Sequence, residues 1–207
     1  MNYHPHESYG LTLYNTGVRV FLVLDFDGVI NAFGIIHELD LPDSPGFGKW
    51  ASFKQKVTSE LGYRQSYTIR WSSEMIERIN AILDDPRVQL CWLTSWKTEV
   101  LNPARRMELA ISSARQPVVI DYPITSSDDQ IGKLSGISEF FKGVPDQASL
   151  IWVDDYLLAE DGGYYSMVEG CIIDLDFGEI LTMGPDSLIG ISPEDMSVIE
   201  DFLASQP

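Results

Sequence analysis

The sequence predicts an α/β fold in three layers, with a mainly parallel sheet between helices on both faces. Three short apolar segments, at residues 19–24, 88–93 and 150–153, have the length and composition of buried strands. Helical periodicity separates them, and such alternation is typical of parallel sheets. Because parallel strands end at one edge of the sheet, the polar residues that follow them should meet there. A length of 207 residues suits one core, so we expect a single domain over residues 1–207.

The chain begins with a polar, turn-rich segment over residues 1–18, which we interpret as an arm lying on the domain. His4 and His6 are spaced like metal ligands, but no third ligand stands near them, so we do not expect a zinc site here. His37 is the third and last histidine in the sequence. A mechanism centred on histidine is therefore hard to build.

The first predicted strand ends in the segment Asp25-Phe26-Asp27-Gly28. Alternate residues of a strand point to the same side, so the two carboxylates leave the strand end together. Gly28 lets the backbone turn sharply and approach a ligand closely. The pattern predicts metal-assisted phosphoryl transfer, with one aspartate as nucleophile and the other as proton donor. For this segment taken alone, an acidic turn capping a core strand is an equally good interpretation.

Residues 32–70 form a long irregular insert that contains a cluster of Pro and Gly turn formers. Within it we expect a short helix over residues 50–61 and a strand over residues 67–71. Ser72 is suited to cap a helix over residues 73–83, whose apolar residues recur at helical spacing.

The second predicted strand ends in Thr94 and Ser95, a hydroxyl pair suited to donate hydrogen bonds to a phosphate oxygen. An ordinary turn is the alternative interpretation. After it we expect a helix over residues 103–112, with Pro103 in its first turn, and a short strand over residues 117–121. Trp71 and Trp96 could offer stacking surfaces for a base, although packing is the commoner role of tryptophan.

Lys133 begins a segment that is typical of a helix, and it offers one cation to neutralise a phosphate dianion. The third predicted strand ends in Asp154 and Asp155. A solvated lysine and a helix cap are the alternatives for these two features. Oxygen ligands from separate strand ends, with no histidine or cysteine beside them, fit Mg²⁺ better than zinc. A strand over residues 170–175 and a helix over residues 193–203, capped by Ser192, complete the prediction.

In this order and spacing, the four segments resemble the haloacid dehalogenase (HAD) superfamily of phosphohydrolases. More narrowly, the chain resembles the HAD domain of Swiss Army Knife RNA repair proteins. The resemblance covers residues 19–176 and the late segment 190–192. The segments that carry it are Leu24-Asp25-Phe26-Asp27-Gly28-Val29-Ile30-Asn31, Trp92-Leu93-Thr94-Ser95-Trp96, Gly132-Lys133-Leu134, Trp152-Val153-Asp154-Asp155 and Gly190-Ile191-Ser192.

The resemblance implies a Rossmann-like, HAD-like fold and a role for each motif. Asp25 would be the nucleophile that forms an aspartyl-phosphate, and Asp27 would act as acid and then base. Superfamily members that dehalogenate or cleave phosphonates typically lack this second aspartate, so the resemblance favours phosphoester chemistry. The remaining roles are phosphate binding by Thr94, Ser95 and Lys133, and Mg²⁺ binding by Asp25, the Asp27 carbonyl, Asp154 and Asp155. Residues 32–70 would be a flap or mini-cap, with no full cap domain and a comparatively open site.

Composition limits the partners and the compartment. The formal charge of −17 repels a long polyanion, so a nucleic-acid terminus is a disfavoured substrate and a small phosphoester such as a nucleotide is preferred. No segment approaches the length of apolar residues that a membrane span needs, and residues 1–7 lack the basic flank and apolar core of a secretory signal, so we expect a soluble protein. Cys91 and Cys171 lie in apolar segments and predict buried thiols in a reducing, cytoplasmic compartment, with a disulfide as the less favoured alternative. Oligomerisation stays open.

We therefore expect a Mg²⁺-dependent phosphatase. The alternative from a different class is a non-catalytic binding or regulatory protein that keeps the fold, since a fold alone does not establish activity.

Overall fold

A five-stranded parallel sheet forms the centre of the computed structural model, in the order β5-β4-β1-β6-β7. A separate antiparallel pair, β2 and β3, is called the β2–β3 ribbon below. The structure describes residues 9–34, 46–58, 64–110, 115–123, 129–158 and 178–207. The strands are β1 (Val20–Leu24), β2 (Trp50–Thr58), β3 (Arg64–Ser72), β4 (Val88–Trp92), β5 (Val118–Val119), β6 (Ser149–Val153) and β7 (Glu179–Met183).

Helices cover both faces of the sheet. They are α1 (Tyr9–Asn15), α2 (Ser73–Leu83), α3 (Leu101–Arg106), α4 (Asp129–Phe140) and α5 (Pro193–Ser205). Alternate residues of β1 feed two separate cores: Val20, Leu22 and Leu24 pack with α2 and α5, whereas Phe21 and Val23 pack with α4. The α/β architecture with a parallel sheet flanked by helices is thus as predicted.

The three predicted strands are confirmed as β1, β4 and β6, and every residue of each is buried. Ser72 caps α2 by accepting a hydrogen bond from the Met75 amide, as predicted. Ser192 caps α5 in a reciprocal capping box with Asp195. The helix predicted over residues 103–112 is observed as Leu101–Arg106. The strand predicted over residues 170–175 lies outside the described residues, as do Cys171, His4, His6 and His37.

The helix predicted over residues 50–61 is wrong, because residues 50–58 form the strand β2. Its exposure alternates residue by residue, and Ser52, Lys54 and Lys56 are the exposed members. Pairing with β3 over all nine residues decides the conformation. The strand predicted over residues 67–71 is confirmed and is longer, as β3.

Two elements were not predicted. The arm over residues 1–18 contains α1, whose Leu11 and Leu13 pack against the core on the α4 face. The edge strand β7 pairs with β6, and its mixed polar and apolar sequence gave no clear period. Cys91 is fully buried in β4, as predicted, and burial raises the pKa of its thiol. Among the described residues, no helix has the length and apolarity that crossing a membrane requires.

Candidate active site

Three of the predicted site residues directly follow three adjacent strands of the sheet. Asp25 follows β1, Thr94 lies just beyond β4, and Asp154 follows β6. The backbone continues the strand pairing at this point, since the amide of Asp25 donates to the Val153 carbonyl and the amide of Asp154 to the Met183 carbonyl, both at 3.0 Å. The carboxyl edge of the sheet therefore positions the backbone beneath these side chains.

Asp25, Asp154 and Asp155 form a compact acidic cluster at this edge. Each offers a carboxylate oxygen, and these oxygens all lie within 4.8 Å of one another. Asp25 and Asp154 are buried, and Asp155 is half-buried. Asp25 is held further by the Phe26 amide, which donates to Oδ1 at 2.6 Å.

Lys133 on α4 bridges two members of this acidic cluster. Its Nζ donates to Asp25 Oδ2 at 2.5 Å and to Asp154 Oδ2 at 2.8 Å, and its side chain is 1% exposed. Burial acts to lower the pKa of Lys133, but the charges of Asp25 and Asp154 outweigh it and raise that pKa. Lys133 is therefore a permanent cation that fixes the orientation of both carboxylates.

One lysine does not balance the acidic cluster. Burial, and then the charge of Asp25, raise the pKa of Asp154 to about 7 and that of Asp155 to about 6. Buried carboxylates that lack a countercharge are costly, and a divalent cation would supply it. Three convergent oxygen donors, with no nitrogen or sulfur ligand grouped with them among the described residues, fit Mg²⁺. This ion binds few carboxylates and keeps water or phosphate oxygens in its remaining positions. The residues present thus fit a hard metal ion.

Glycine is required at position 28 because the backbone there lies very close to the Asp155 side chain. Its φ is +73°, and a Cβ placed there would lie 2.3 Å from Asp155 Oδ2. Any side chain at position 28 would therefore displace Asp155 as well as strain the backbone. The sharp turn expected of Gly28 is confirmed, whereas its approach to a ligand stays a prediction.

Asp27 stands beside the acidic cluster but is held by different partners. The Trp96 indole N–H donates to Oδ2 at 2.8 Å, and the Asn31 amide donates to Oδ1 at 2.6 Å. Burial raises the pKa of Asp27, and these two hydrogen bonds oppose that shift. Asn31 in turn accepts a hydrogen bond from the Arg70 amide at 2.8 Å. The Asp27 side chain is thereby connected to the β2–β3 ribbon.

The predicted hydroxyl pair is divided between two environments. Thr94 is fully buried, and its Oγ1 accepts a long hydrogen bond, 3.4 Å, from the Trp96 amide. Ser95 is exposed. Phosphate binding by either residue stays a prediction, as does metal binding by the Asp27 carbonyl.

Sequence reasoning missed the partners of Asp27. Asn31 entered it as part of a motif, and Trp96 as a stacking surface. Trp96 packs edge-on against Phe26, 5.1 Å between ring centroids, and lies at the same distance from the half-exposed Tyr67 ring. Trp71 instead packs against Phe53. The amide side chain of Asn31, four residues after Asp27, was the one local sign of a hydrogen-bond partner. Trp96 is 69 residues away in the sequence, so no local pattern could indicate its contact with Asp27.

Comparison with protein-family models, curated proteins and solved structures finds no match for this chain. The arrangement of these side chains is therefore the basis on which a function is assigned.

Proposed function

We propose that the protein is a Mg²⁺-dependent phosphatase of the HAD superfamily, which hydrolyses phosphoric monoesters through an aspartyl-phosphate on Asp25. The observation that carries the proposal is the bridge from Lys133 to Asp25 and Asp154 inside a cluster of three carboxylates. A structural ion pair would need one carboxylate. Three carboxylates around one buried lysine leave a net negative site suited to a cation and a phosphoryl group.

In the first half-reaction, an Asp25 carboxylate oxygen attacks phosphorus and the ester P–O bond breaks. Lys133 holds Asp25 Oδ2 in a fixed direction and stabilises the charge on the phosphoryl oxygens. Asp27 gives its proton to the leaving oxygen, a role favoured by the burial that raises its pKa.

In the second half-reaction, Asp27 is a carboxylate and accepts a proton from water. The water oxygen attacks phosphorus, the bond to Asp25 breaks, and inorganic phosphate leaves. Asn31 and Trp96 donate to the two oxygens of Asp27 and so keep its carboxylate in one orientation. Both groups can only donate through these nitrogens, which favours the charged form needed as base.

Asp25, Asp154 and Asp155 would hold the Mg²⁺, with the Asp27 carbonyl as a further ligand. When bound, the ion supplies Lewis-acid stabilisation of charge on the phosphoryl oxygens. Small phosphoesters, nucleotides among them, are the proposed substrates. In the alternative, a non-catalytic binding protein that keeps the fold, the buried Lys133 bridge would have a structural role alone.

The test is hydrolysis of 4-nitrophenyl phosphate by the purified chain with Mg²⁺ and with a chelator. We expect Mg²⁺-dependent turnover that Asp25→Asn abolishes, since the substitution is nearly isosteric but removes the nucleophile. Asp201→Asn, at an exposed position of α5, is the matched control and should keep full activity. Turnover that survives chelation, or an active Asp25→Asn protein, would contradict the proposal. No turnover of any phosphoester by the folded protein would favour the non-catalytic alternative.

A further inference from the structure

One segment of this acidic protein has a net positive charge. Residues 46–72 contain five of the 14 Lys and Arg residues and one of the 31 Asp and Glu residues, a net charge of +4 in a chain of formal charge −17. The β2–β3 ribbon is built from this segment. Neither of its strands contains a carboxylate.

The two faces of the β2–β3 ribbon differ sharply. Directly paired residues of an antiparallel sheet project to the same side, and the register pairs Ser52 with Arg70, Lys54 with Thr68 and Lys56 with Ser66. These six residues, here called the cationic face, combine three cations with three hydroxyl groups. Four of them are exposed and the other two, Thr68 and Arg70, are half-buried.

The opposite face of the β2–β3 ribbon packs on the body of the protein. Ile69 is fully buried, and the Phe53 and Trp71 rings meet edge-on at 5.1 Å between centroids. On this side Arg106 of α3 lies 3.6 Å from the Phe53 ring centroid and donates to the Lys54 carbonyl at 3.4 Å. The cationic face is therefore held outward by packing beneath it.

The cationic face begins at the candidate active site. The Arg70 amide donates to Asn31 Oδ1, and the Arg70 carbonyl accepts from the Ala32 amide at 3.0 Å. Asn31 contacts Asp27 directly. From Arg70 the face extends along the strands for four residues to the pair of Lys56 and Ser66, about 13 Å at the usual rise per residue. Lys54 and Lys56 are about 7 Å apart along the strand by the same measure.

We propose that the cationic face binds the sugar-phosphate backbone of a single-stranded nucleic acid, with one end of the strand directed towards the candidate active site. Cations with hydroxyl donors between them are the groups that contact phosphate oxygens. The face has no apolar residue to enter a membrane, as an interfacial lipid-binding surface requires. The Debye length is about 8 Å at physiological ionic strength, so salt screens the repulsion between a bound strand and distant carboxylates. The charges of the cationic face itself then dominate the local interaction.

Binding of the strand does not depend on the proposed function, and only hydrolysis of a phosphate at the strand end rests on it. Binding is therefore tested with a labelled oligodeoxythymidylate that has no terminal phosphate, so that no substrate for hydrolysis is present. The measurement is fluorescence anisotropy of the full chain over a series of salt concentrations. The double variant Lys54→Gln/Lys56→Gln and the single variant Lys56→Gln test the cationic face. Lys142→Gln is the matched single-charge control for Lys56→Gln, because Lys142 is exposed and follows α4 at the opposite edge of the sheet.

We expect the double variant to bind about 25-fold more weakly at about 0.1 M salt, and its salt slope to fall by about 1.4, since each phosphate contact of a single strand contributes about 0.7. Lys142→Gln should change binding less than twofold. Activity of the double variant on 4-nitrophenyl phosphate should equal that of wild type. The inference is overturned if the wild type does not bind the strand, if the double variant keeps wild-type affinity and slope, or if Lys142→Gln weakens binding as much as Lys56→Gln. Binding of phosphatidylserine vesicles without binding of the oligonucleotide would also overturn it.

Discussion

The carboxyl edge of the central sheet and the β2–β3 ribbon are neighbours that carry charges of opposite sign. The charges are mostly buried at the sheet edge and mostly exposed on the ribbon. At the sheet edge, Asp25 and Asp154 are buried around one lysine. Desolvation of each charge is therefore unfavourable, and the pairing depends on specific hydrogen-bond geometry. On the ribbon, Lys54 and Lys56 are exposed, so water solvates their charges and little desolvation energy is lost. Their electrostatic effect depends on how many such charges there are and how far apart they lie. The two regions therefore place opposite charges in separate environments, which the formal charge of −17 does not reveal.

The largest expected effect lies at the sheet edge. Lys133→Met removes the cation and leaves Asp25 and Asp154 without the countercharge that both contact. We expect the free energy of unfolding to fall by about 3–5 kcal/mol at neutral pH, the range for breaking a buried ion pair. Phosphatase activity should fall by at least about 10²-fold. Chemical denaturation with and without Mg²⁺ measures the first effect. Lys142→Met is the control, and equal losses in the two variants would remove the distinction between buried and exposed charge.

Mg²⁺ should stabilise the sheet edge more at pH 8 than at pH 5. The folded pKa values of Asp154 and Asp155, about 7 and about 6, lie above the ordinary value of 3.8. In the metal-free protein the folded state therefore binds protons more tightly, and stability falls as pH rises from about 4 to about 7. At pH 8 the ion displaces no protons, and about 2.7 kcal/mol is expected at about 100 times Kd.

Thermal unfolding of wild type and Asp155→Asn at the two pH values checks this. The variant has one ligand fewer and should lose most of the Mg²⁺ response at pH 8. A wild-type response that is the same at pH 5 and pH 8 would show that Asp154 and Asp155 do not hold the ion.

Trp96→Phe tests the contact between the sheet edge and the β2–β3 ribbon. The phenyl ring can keep the packing against Phe26 and Tyr67 but loses the hydrogen bond to Asp27 Oδ2. Trp96 acts through Asp27, so the loss should depend on how much the leaving group needs a proton. We expect kcat to fall about tenfold with an alkyl phosphate and less than about threefold with 4-nitrophenyl phosphate. Trp71→Phe is the matched control, and an equal loss with both substrates would assign Trp96 a purely structural role.

The smallest effect is expected on the ribbon. Lys54 is exposed, and its side chain takes part in none of the ion pairs found between described residues. Lys54→Gln should shift Tm by less than about 2 °C. A larger shift, measured by circular dichroism, would mean that the cationic face stabilises the fold and is not reserved for a partner.

The sequence was most informative where one local rule was enough. Buried apolar segments predicted β1, β4 and β6, and the rule that parallel strands end together predicted that Asp25 and Asp154 would meet. Capping chemistry predicted the starts of α2 and α5 at Ser72 and Ser192. Each of these signals depends on residues that are close in the chain or on a general property of parallel sheets.

Local sequence patterns thus predicted the three central strands of the sheet, their polar ends and the residues of the acidic cluster. Only the tertiary structure decided that residues 50–58 form a strand, since β2 depends on pairing with β3, and its nine residues alone are compatible with a helix. It also decided that Trp96 and Asn31 hold Asp27, because a hydrogen bond to an indole 69 residues away depends on how two loops pack. The cationic face has the same origin: Lys54, Lys56 and Arg70 share one side because the antiparallel register places them there.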